Sequence, residues 1–137
     1  MTERNEDAAA VAAGLRSVLL SYRAIEIQLA KTLGVNGTDM STLEIGGRLG
    51  GATPTQVGEH VGISSGAVTF SVDRLAAAGH LERHPHPSDR RKTLLALTPD
   101  TARRVAAELG PLQAALMALA GGRTAEEQRV IAGFLAE

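Results

Sequence analysis

The chain has 137 residues, 2% of them aromatic, no cysteine and a formal net charge of −1. That length suits one domain, and the lack of cysteine excludes a disulfide framework, a thiolate zinc site and a cysteine redox switch. Bulk charge announces no nucleic-acid partner, so any basic footprint must be local, and a core restricted to Leu, Val, Ile and Ala favours helix-on-helix packing over a β-sandwich.

Residues 1–10 are charged and mildly acidic and lack the two regions of a signal peptide. The apolar stretches are broken by charge or glycine before the ~20 residues of a membrane span. The chain therefore reads as soluble and cytoplasmic, with no membrane partner. Val11, Leu15, Val18, Leu19, Tyr22, Ile25, Leu29 and Leu33 recur at spacings of three and four. They predict one long helix ending near Gly34, with a stripe that needs another surface. A second helix is predicted from about Asp39 to Leu49, with Met40, Leu43, Ile45 and Leu49 apolar and Thr38 or Asp39 as its cap. Gly46, Gly47, Gly50 and Gly51 weaken its end, each by ~1 kcal/mol inside a helix.

Thr53, Pro54 and Gln56 form a capping box with proline at the first helical position, so a short helix runs to about His60. Val61-Gly62-Ile63 makes a tight turn. Ser64 caps a fourth helix with Val68, Val72 and Leu75 on its buried stripe, stopped by Gly79. Two strands follow, Leu81 to His84 and Thr93 to Leu97, joined by a Pro-rich basic loop. Thr98-Pro99 starts a fifth helix whose Val105, Leu109, Leu112, Leu116 and Leu119 form a coiled-coil-like seam, with Pro111 a candidate kink and Gly121-Gly122 its end. A last helix runs from Thr124, with Val130, Ile131, Phe134 and Leu135 apolar.

The expected fold class is mainly α with a small β-hairpin wing, a winged helix-turn-helix flanked by N- and C-terminal dimerisation helices. Residues 1–36 and 99–137 form the helical dimerisation region of a single domain, and residues 37–98 the DNA-binding lobe. The helix capped by Ser64 is slim enough for a major groove, and it offers Ser65, Gly66, Thr69 and Phe70 away from its apolar stripe. Phe70 either turns inward or touches a thymine methyl. Between residues 83 and 92 there are four Lys or Arg (Arg83, Arg90, Arg91 and Lys92) against one acid, Asp89. This is the local footprint missing from the whole-chain charge. Thr53 and Arg74 complete the DNA-facing set, Arg74 with an equal claim to a structural role.

The stretches Gly66-Ala67-Val68-Thr69, Val72-Asp73-Arg74-Leu75, Ala78-Gly79, Pro87-Ser88-Asp89-Arg90-Arg91 and Leu97-Thr98-Pro99 resemble the MarR family. The most specific part is Asp-x-Arg followed after five residues by Leu-Thr, matched by Asp89, Arg91, Leu97 and Thr98. The resemblance implies that Ser64, Ser65, Gly66 and Thr69 lie at the DNA-facing end of the recognition helix. It implies that Asp89 orients the wing, that Arg91 reaches the minor groove and that Arg90 contacts backbone or groove. It also implies a homodimer through the terminal helices, and release from a double-stranded DNA operator by a small aromatic effector. Phe70, Ser71 and His80 depart from the family pattern, with Ser71 where a leucine is common.

Leu15, Leu109, Leu112, Leu116 and Phe134 are the expected dimer interface, because so small a monomer cannot cover them all. An effector would sit against Tyr22, Met40 and Leu43, with Arg16 or Arg23 holding a carboxylate. Asp89 also suits an ion pair with Arg91. His84 and His86, with His60 and His80, invite a metal-sensing alternative, but adjacent prolines and a basic loop argue against metal, and no cofactor is implied. No nucleotide-binding glycine motif and no defensible catalytic triad supports an enzyme. A winged-helix module used only for protein contacts is the other alternative.

Overall fold

The computed structural model describes residues 3–48 and 51–136. Helix α1 spans Glu3–Leu33, α2 Gly37–Gly46, α3 Pro54–Val61 and α4 Ser65–Ala77. Strands β1 (Leu81–Pro85) and β2 (Thr93–Leu97) follow, then α5 (Pro99–Gly121) and α6 (Ala125–Leu135). The order matches the expected one.

Four helix starts are set by side chains three residues from the groups they cap. Thr53 accepts from the Gln56 N–H while Gln56 closes the box, and Ser64 accepts from Ala67, Thr98 from Thr101 and Thr124 from Glu127. Each bond satisfies an amide that the helix itself leaves without a partner. Helix α2 departs from expectation. Its cap is Asn36, whose side chain accepts from the Asp39 N–H, rather than Thr38 or Asp39, because the Asp39 carboxylate is turned into the core. Its helical turns stop at Gly46, and the expected apolar position Leu49 and the neighbouring Gly50 lie outside the described residues. Helix α5 continues as α-helix through Pro111.

The hairpin pairs Leu81 with Leu97, Arg83 with Leu95 and Pro85 with Thr93. A third piece that local patterning gave no sign of completes it: Ala52 exchanges both backbone hydrogen bonds with Leu95. The glycines around α2 find their reason here. A Cβ on Gly51, which sits at φ +77°, would lie 2.7 Å from the Leu95 carbonyl oxygen, and one on Gly47 would lie 2.9 Å from Leu97 Cδ1. Side chains at these positions would hold α2 and the chain after it away from the hairpin.

Two apolar clusters make the core. One joins Leu29 and Leu33 of α1 to Met40, Leu43, Leu75 and Leu81, and the other joins Ile45, Ala52, Val57, Val68, Val72 and Leu95. Each fully buried aliphatic side chain contributes roughly 1.5–3 kcal/mol. The first cluster ties α1 to the lobe; the second ties the helix-turn-helix to the wing. Over Asn5–Leu33, α1 is long and apolar enough to cross a membrane by length and composition, contrary to the sequence reading, in which charge or glycine broke every apolar stretch too early.

Polar groups fix how these parts sit. Asp39 is 2% exposed, yet its carboxylate accepts from Ser71 Oγ (2.6 Å) and from Arg74 Nε (2.6 Å) and Nη2 (2.8 Å). Thr42 Oγ1 lies 3.0 Å from Ser71 Oγ. Ser71 therefore departs from leucine for a reason: it serves a buried charge. At the other junction His80, also buried, places Nε2 3.0 Å from the Leu33 carbonyl and Nδ1 3.0 Å from Thr101 Oγ1. A carbonyl can only accept, so Nε2 carries the proton. Arg104 Nη2 donates to the Thr32 carbonyl at 2.7 Å. The exposed carbonyl end of α1 is thus capped by α5 and by the residue that leads into β1.

Burial pushes the Asp39 carboxyl up, but hydrogen bonds from Arg74 and Ser71, together with the Arg74 charge, outweigh it and hold the group below the ordinary aspartate value of 3.8. A depressed folded-state value stabilises the fold above 3.8 and ceases to do so as the pH falls through it. Asp39→Ala should cost about 2 kcal/mol in urea denaturation at neutral pH, since it leaves buried donors short of a charged acceptor. The gap between wild type and variant should narrow as the pH drops below the aspartate range; a gap independent of pH would show that the charge is not what stabilises.

Candidate nucleic-acid interface

Helix α4 buries Val68, Ser71, Val72 and Leu75 and turns the intervening positions out. Ser65, Gly66 and Thr69 are exposed at its N-terminal half, and Phe70 is 75% exposed, so it faces out rather than into the core. The Thr69 hydroxyl donates back to the Ser65 carbonyl (3.0 Å), leaving its methyl and lone pairs outward. Ser64 is held as the cap. The turn before α4 depends on Gly62 at φ +75°, and Gly58 lets α3 and α4 close up, since a Cβ there would lie 3.2 Å from Val68 Cγ2.

The basic residues divide into two groups. Arg74 is committed to Asp39, and Arg83 pairs with Asp73 across the β1–α4 boundary. Arg74, given an equal claim to a structural role, takes that role, and Arg83, expected to face DNA, has its charge answered within the lobe as well. Arg90, Arg91 and Lys92 are exposed at the wing tip, and among the described residues none of them makes an ion pair. The tip is shaped by Asp89. Its carboxylate accepts the Arg91 backbone N–H at 3.0 Å, and its carbonyl accepts the Lys92 N–H at 2.9 Å. Asp89 thus bonds the Arg91 backbone rather than the Arg91 guanidinium, which leaves the arginine charge outward. His86 accepts the Ser88 N–H at 3.3 Å and closes the other side of the loop.

The two surfaces are continuous. Thr53, Pro54 and Thr55 at the start of α3 share one groove with Arg91 and Lys92 of the wing. Pro54 and Thr55 share a second groove with Ser65 and Thr69 of α4. Recognition helix, α3 N-terminus and wing therefore form one concave face. Its lining carries the starts of two helices, the free cations Arg91 and Lys92 and one acid, Glu59, while Arg90 is exposed on the same wing tip. Cations beside helix-start amides are the chemistry a phosphate backbone requires.

A separate cavity of about 200 Å³ lies between α1, α2, β2 and α5, lined by Tyr22, Leu29, Met40, Leu43, Leu97, Val105 and Leu109 with Glu26, Glu44, Gly47 and Arg48. The expected wall residues Tyr22, Met40 and Leu43 are there. The expected basic partners are not: Arg16 does not line it, and Arg23 lines a shallower neighbouring groove. Leu109, expected at a dimer interface, faces this cavity. Tyr22 donates its hydroxyl to Glu44 Oε1 at 2.7 Å. Burial, that hydrogen bond and the nearby Glu44 and Glu26 charges push the phenol well above its ordinary range. Burial and the adjacent Glu44 push the Glu26 carboxyl up as well. Glu26, Glu44 and Arg48 escaped the sequence reading because they meet only when α1 packs on α2; nothing in their local spacing marks them.

If Asp89 shapes the wing tip, Asp89→Ala should speed hydrogen exchange of the Arg91 amide, and Asp89→Asn, which keeps an acceptor oxygen, should restore most of the protection. Equal exchange in all three proteins would remove Asp89 from that role.

A profile of the MarR family matches residues 28–92, which covers α2 to the wing tip. The HTH-type transcriptional regulator YcgE of Bacillus subtilis is 32% identical over 122 residues, 89% of this chain and 76% of that protein. Among solved structures, the transcriptional regulator Tm0710 of Thermotoga maritima superimposes with a TM-score of 0.63 at 21% identity, covering 93% of this chain and 90% of that one. FabT of Streptococcus pneumoniae, solved in complex with DNA, superimposes with a TM-score of 0.58 at 23% identity, covering 93% and 92%. With the wing and recognition helix placed as described and a relative of this identity spanning most of both chains, the chain belongs to the MarR family of DNA-binding transcriptional regulators.

Proposed function

We propose that this regulator acts in the cytoplasm as a two-fold homodimer that represses from a pseudo-palindromic operator and is released by a small molecule. The observation that carries the operator reading is the single concave face joining an exposed recognition helix to two wing cations, Arg91 and Lys92, free of internal ion pairs among the described residues. On such a face Ser65, Gly66, Thr69 and Phe70 read base edges, Arg91 enters the adjoining minor groove, and Thr53, Ser64, Arg90 and Lys92 hold the backbone. Arg74 and Arg83 serve the lobe. The DNA-bound structure of FabT supports the same use of this fold.

The terminal helices support a dimer. Leu15, Leu116 and Phe134 are exposed, as are Val11, Val18, Leu19, Leu119, Val130, Ile131 and Leu135 on the same three helices, and α6 buries nothing. Apolar area of this kind is covered by a symmetric partner at the least cost in new surface, and a two-fold axis sets two recognition helices about one DNA turn apart. Leu112 is half-buried and lies beside this surface. The cavity supports release. It is walled by α1 and α5 on one side and by α2 and β2 on the other, so a ligand that prefers one relative position of these parts shifts the spacing of the recognition helices.

On a duplex selected from a random library, Arg91→Ala should weaken specific binding by ~1–3 kcal/mol per contacted site in a mobility-shift titration, whereas Arg103→Ala, on α5, should bind like wild type. Equal loss or equal retention would sink the wing assignment. Sedimentation at micromolar concentration should return a dimer mass, and Leu116→Glu combined with Phe134→Glu should return a monomer. A monomeric wild type would rule out the two-fold reading.

A further inference from the structure

The cavity's polar groups speak to what it binds. Six aliphatic or thioether side chains (Leu29, Met40, Leu43, Leu97, Val105 and Leu109) form most of the wall, enough for one small hydrocarbon body. An apolar cavity of 150 Å³ already accepts a benzene ring, and this one is about 200 Å³. Its charged lining is two carboxylates, Glu26 and Glu44, against one guanidinium, Arg48. Among the described residues neither carboxylate makes an ion pair, with Arg48 or with any other base. Glu44 is held by one neutral donor, the Tyr22 hydroxyl, which leaves most of its acceptor capacity free. The Glu26 carboxyl is pushed up first by burial and then by the charge of Glu44, so the two carboxylates lie close enough to repel each other.

We infer that the cavity takes a small organic cation, an ammonium on a hydrocarbon body, with Glu26 and Glu44 as its counter-charges. This rests on the cavity being the effector site. An ammonium donates hydrogen bonds to both carboxylates and cancels their repulsion while its hydrocarbon part covers the Leu29, Met40 and Leu109 wall. A carboxylate ligand would add a third negative charge beside two, with Arg48 as the one guanidinium in the lining and Arg23 acting on Glu26 from the adjoining groove. That reverses the expectation of an aromatic acid held by Arg16 or Arg23, neither of which lines the cavity. Because Glu26 is on α1 and Glu44 on α2, the cation would also bridge the terminal helix to the DNA-binding lobe.

Three probes of one shape and different charge test this on the full chain: benzylammonium, benzyl alcohol and benzoate, titrated by calorimetry without DNA. The Met40 methyl resonance reports whether each enters the cavity. Benzylammonium should shift that resonance and bind at least tenfold more tightly than benzyl alcohol, with benzoate weakest. Glu44→Gln and Glu26→Gln should each cut the ratio of benzylammonium to benzyl alcohol affinity at least threefold. Equal affinity for ammonium and alcohol, or tightest binding of benzoate, would overturn the inference while leaving the cavity as an effector site. An ammonium preference that survives both substitutions would overturn it too. If no probe shifts Met40, the effector reading fails together with the inference. Operator binding is measured separately, so its failure is not confused with either.

Discussion

A carboxylate removed from water must be answered, and in this molecule the answer sets the position of the recognition helix. Asp39 sits at the start of α2 with almost no exposure. Its two oxygens are met by Ser71 and by the forked guanidinium of Arg74, both on α4. Two nitrogens of one planar group on one carboxylate allow little rotation of α4 about its axis. The rotation of α4 decides which residues face out. With Ser71, Val72 and Leu75 held inward, Ser65, Gly66, Thr69 and Phe70 are left facing out. An apolar contact in place of the pair would pack as well but would permit more settings, because dispersion has no direction.

The second constraint lies at the other end of the lobe. Helix α1 ends with carbonyls that have no partner in their own helix. Leu33 and Thr32 offer theirs to His80 and Arg104. His80 is bonded in turn to Thr101, and Thr98 reaches back to the Gly79 carbonyl. The end of α1, the turn between α4 and β1 and the start of α5 therefore meet through hydrogen bonds at one junction. Tyr22 and Glu44 link α1 to α2 about three turns earlier along α1, at the cavity. A change in either link is felt as a change in the angle between the terminal helices and the lobe. In a two-fold assembly that angle is multiplied into the separation of two recognition helices. The uncovered apolar lengths of α1, α5 and α6 give such an assembly its driving force.

The glycine-rich stretch after Ile45 shows how a weak local signal acquires meaning. Read along the chain, Gly46, Gly47 and Gly51 only subtract from helix stability. In the fold, they let α2 and the following chain approach the hairpin closely enough for Ala52 to pair with Leu95 and for Leu97 to sit against Gly47. The loss of helix propensity is offset by a third backbone pairing that anchors the wing to the helix-turn-helix.

The sequence alone determined the features whose partners lie within one turn of chain. Thr53 with Gln56, Ser64 with Ala67, Thr98 with Thr101 and Thr124 with Glu127 are all three residues apart, so the caps and helix starts could be read from adjacent letters. The apolar stripes and the basic tip of the hairpin were legible for the same reason: periodicity and charge density are local properties. The tertiary structure alone decided the rest. Asp39 finds Arg74 across 35 residues, Tyr22 finds Glu44 across 22, His80 finds Leu33 across 47 and Arg104 finds Thr32 across 72. No spacing rule announces such pairs. Whether a carboxylate sits beside a guanidinium, a phenol or a second carboxylate depends on which helix faces pack together, and packing is decided by the whole apolar surface rather than by the charged residues it brings into contact. That is why the wing's free cations could be named in advance, while the partner of Arg74, the neutralised Arg83 and the acidic character of the cavity could not.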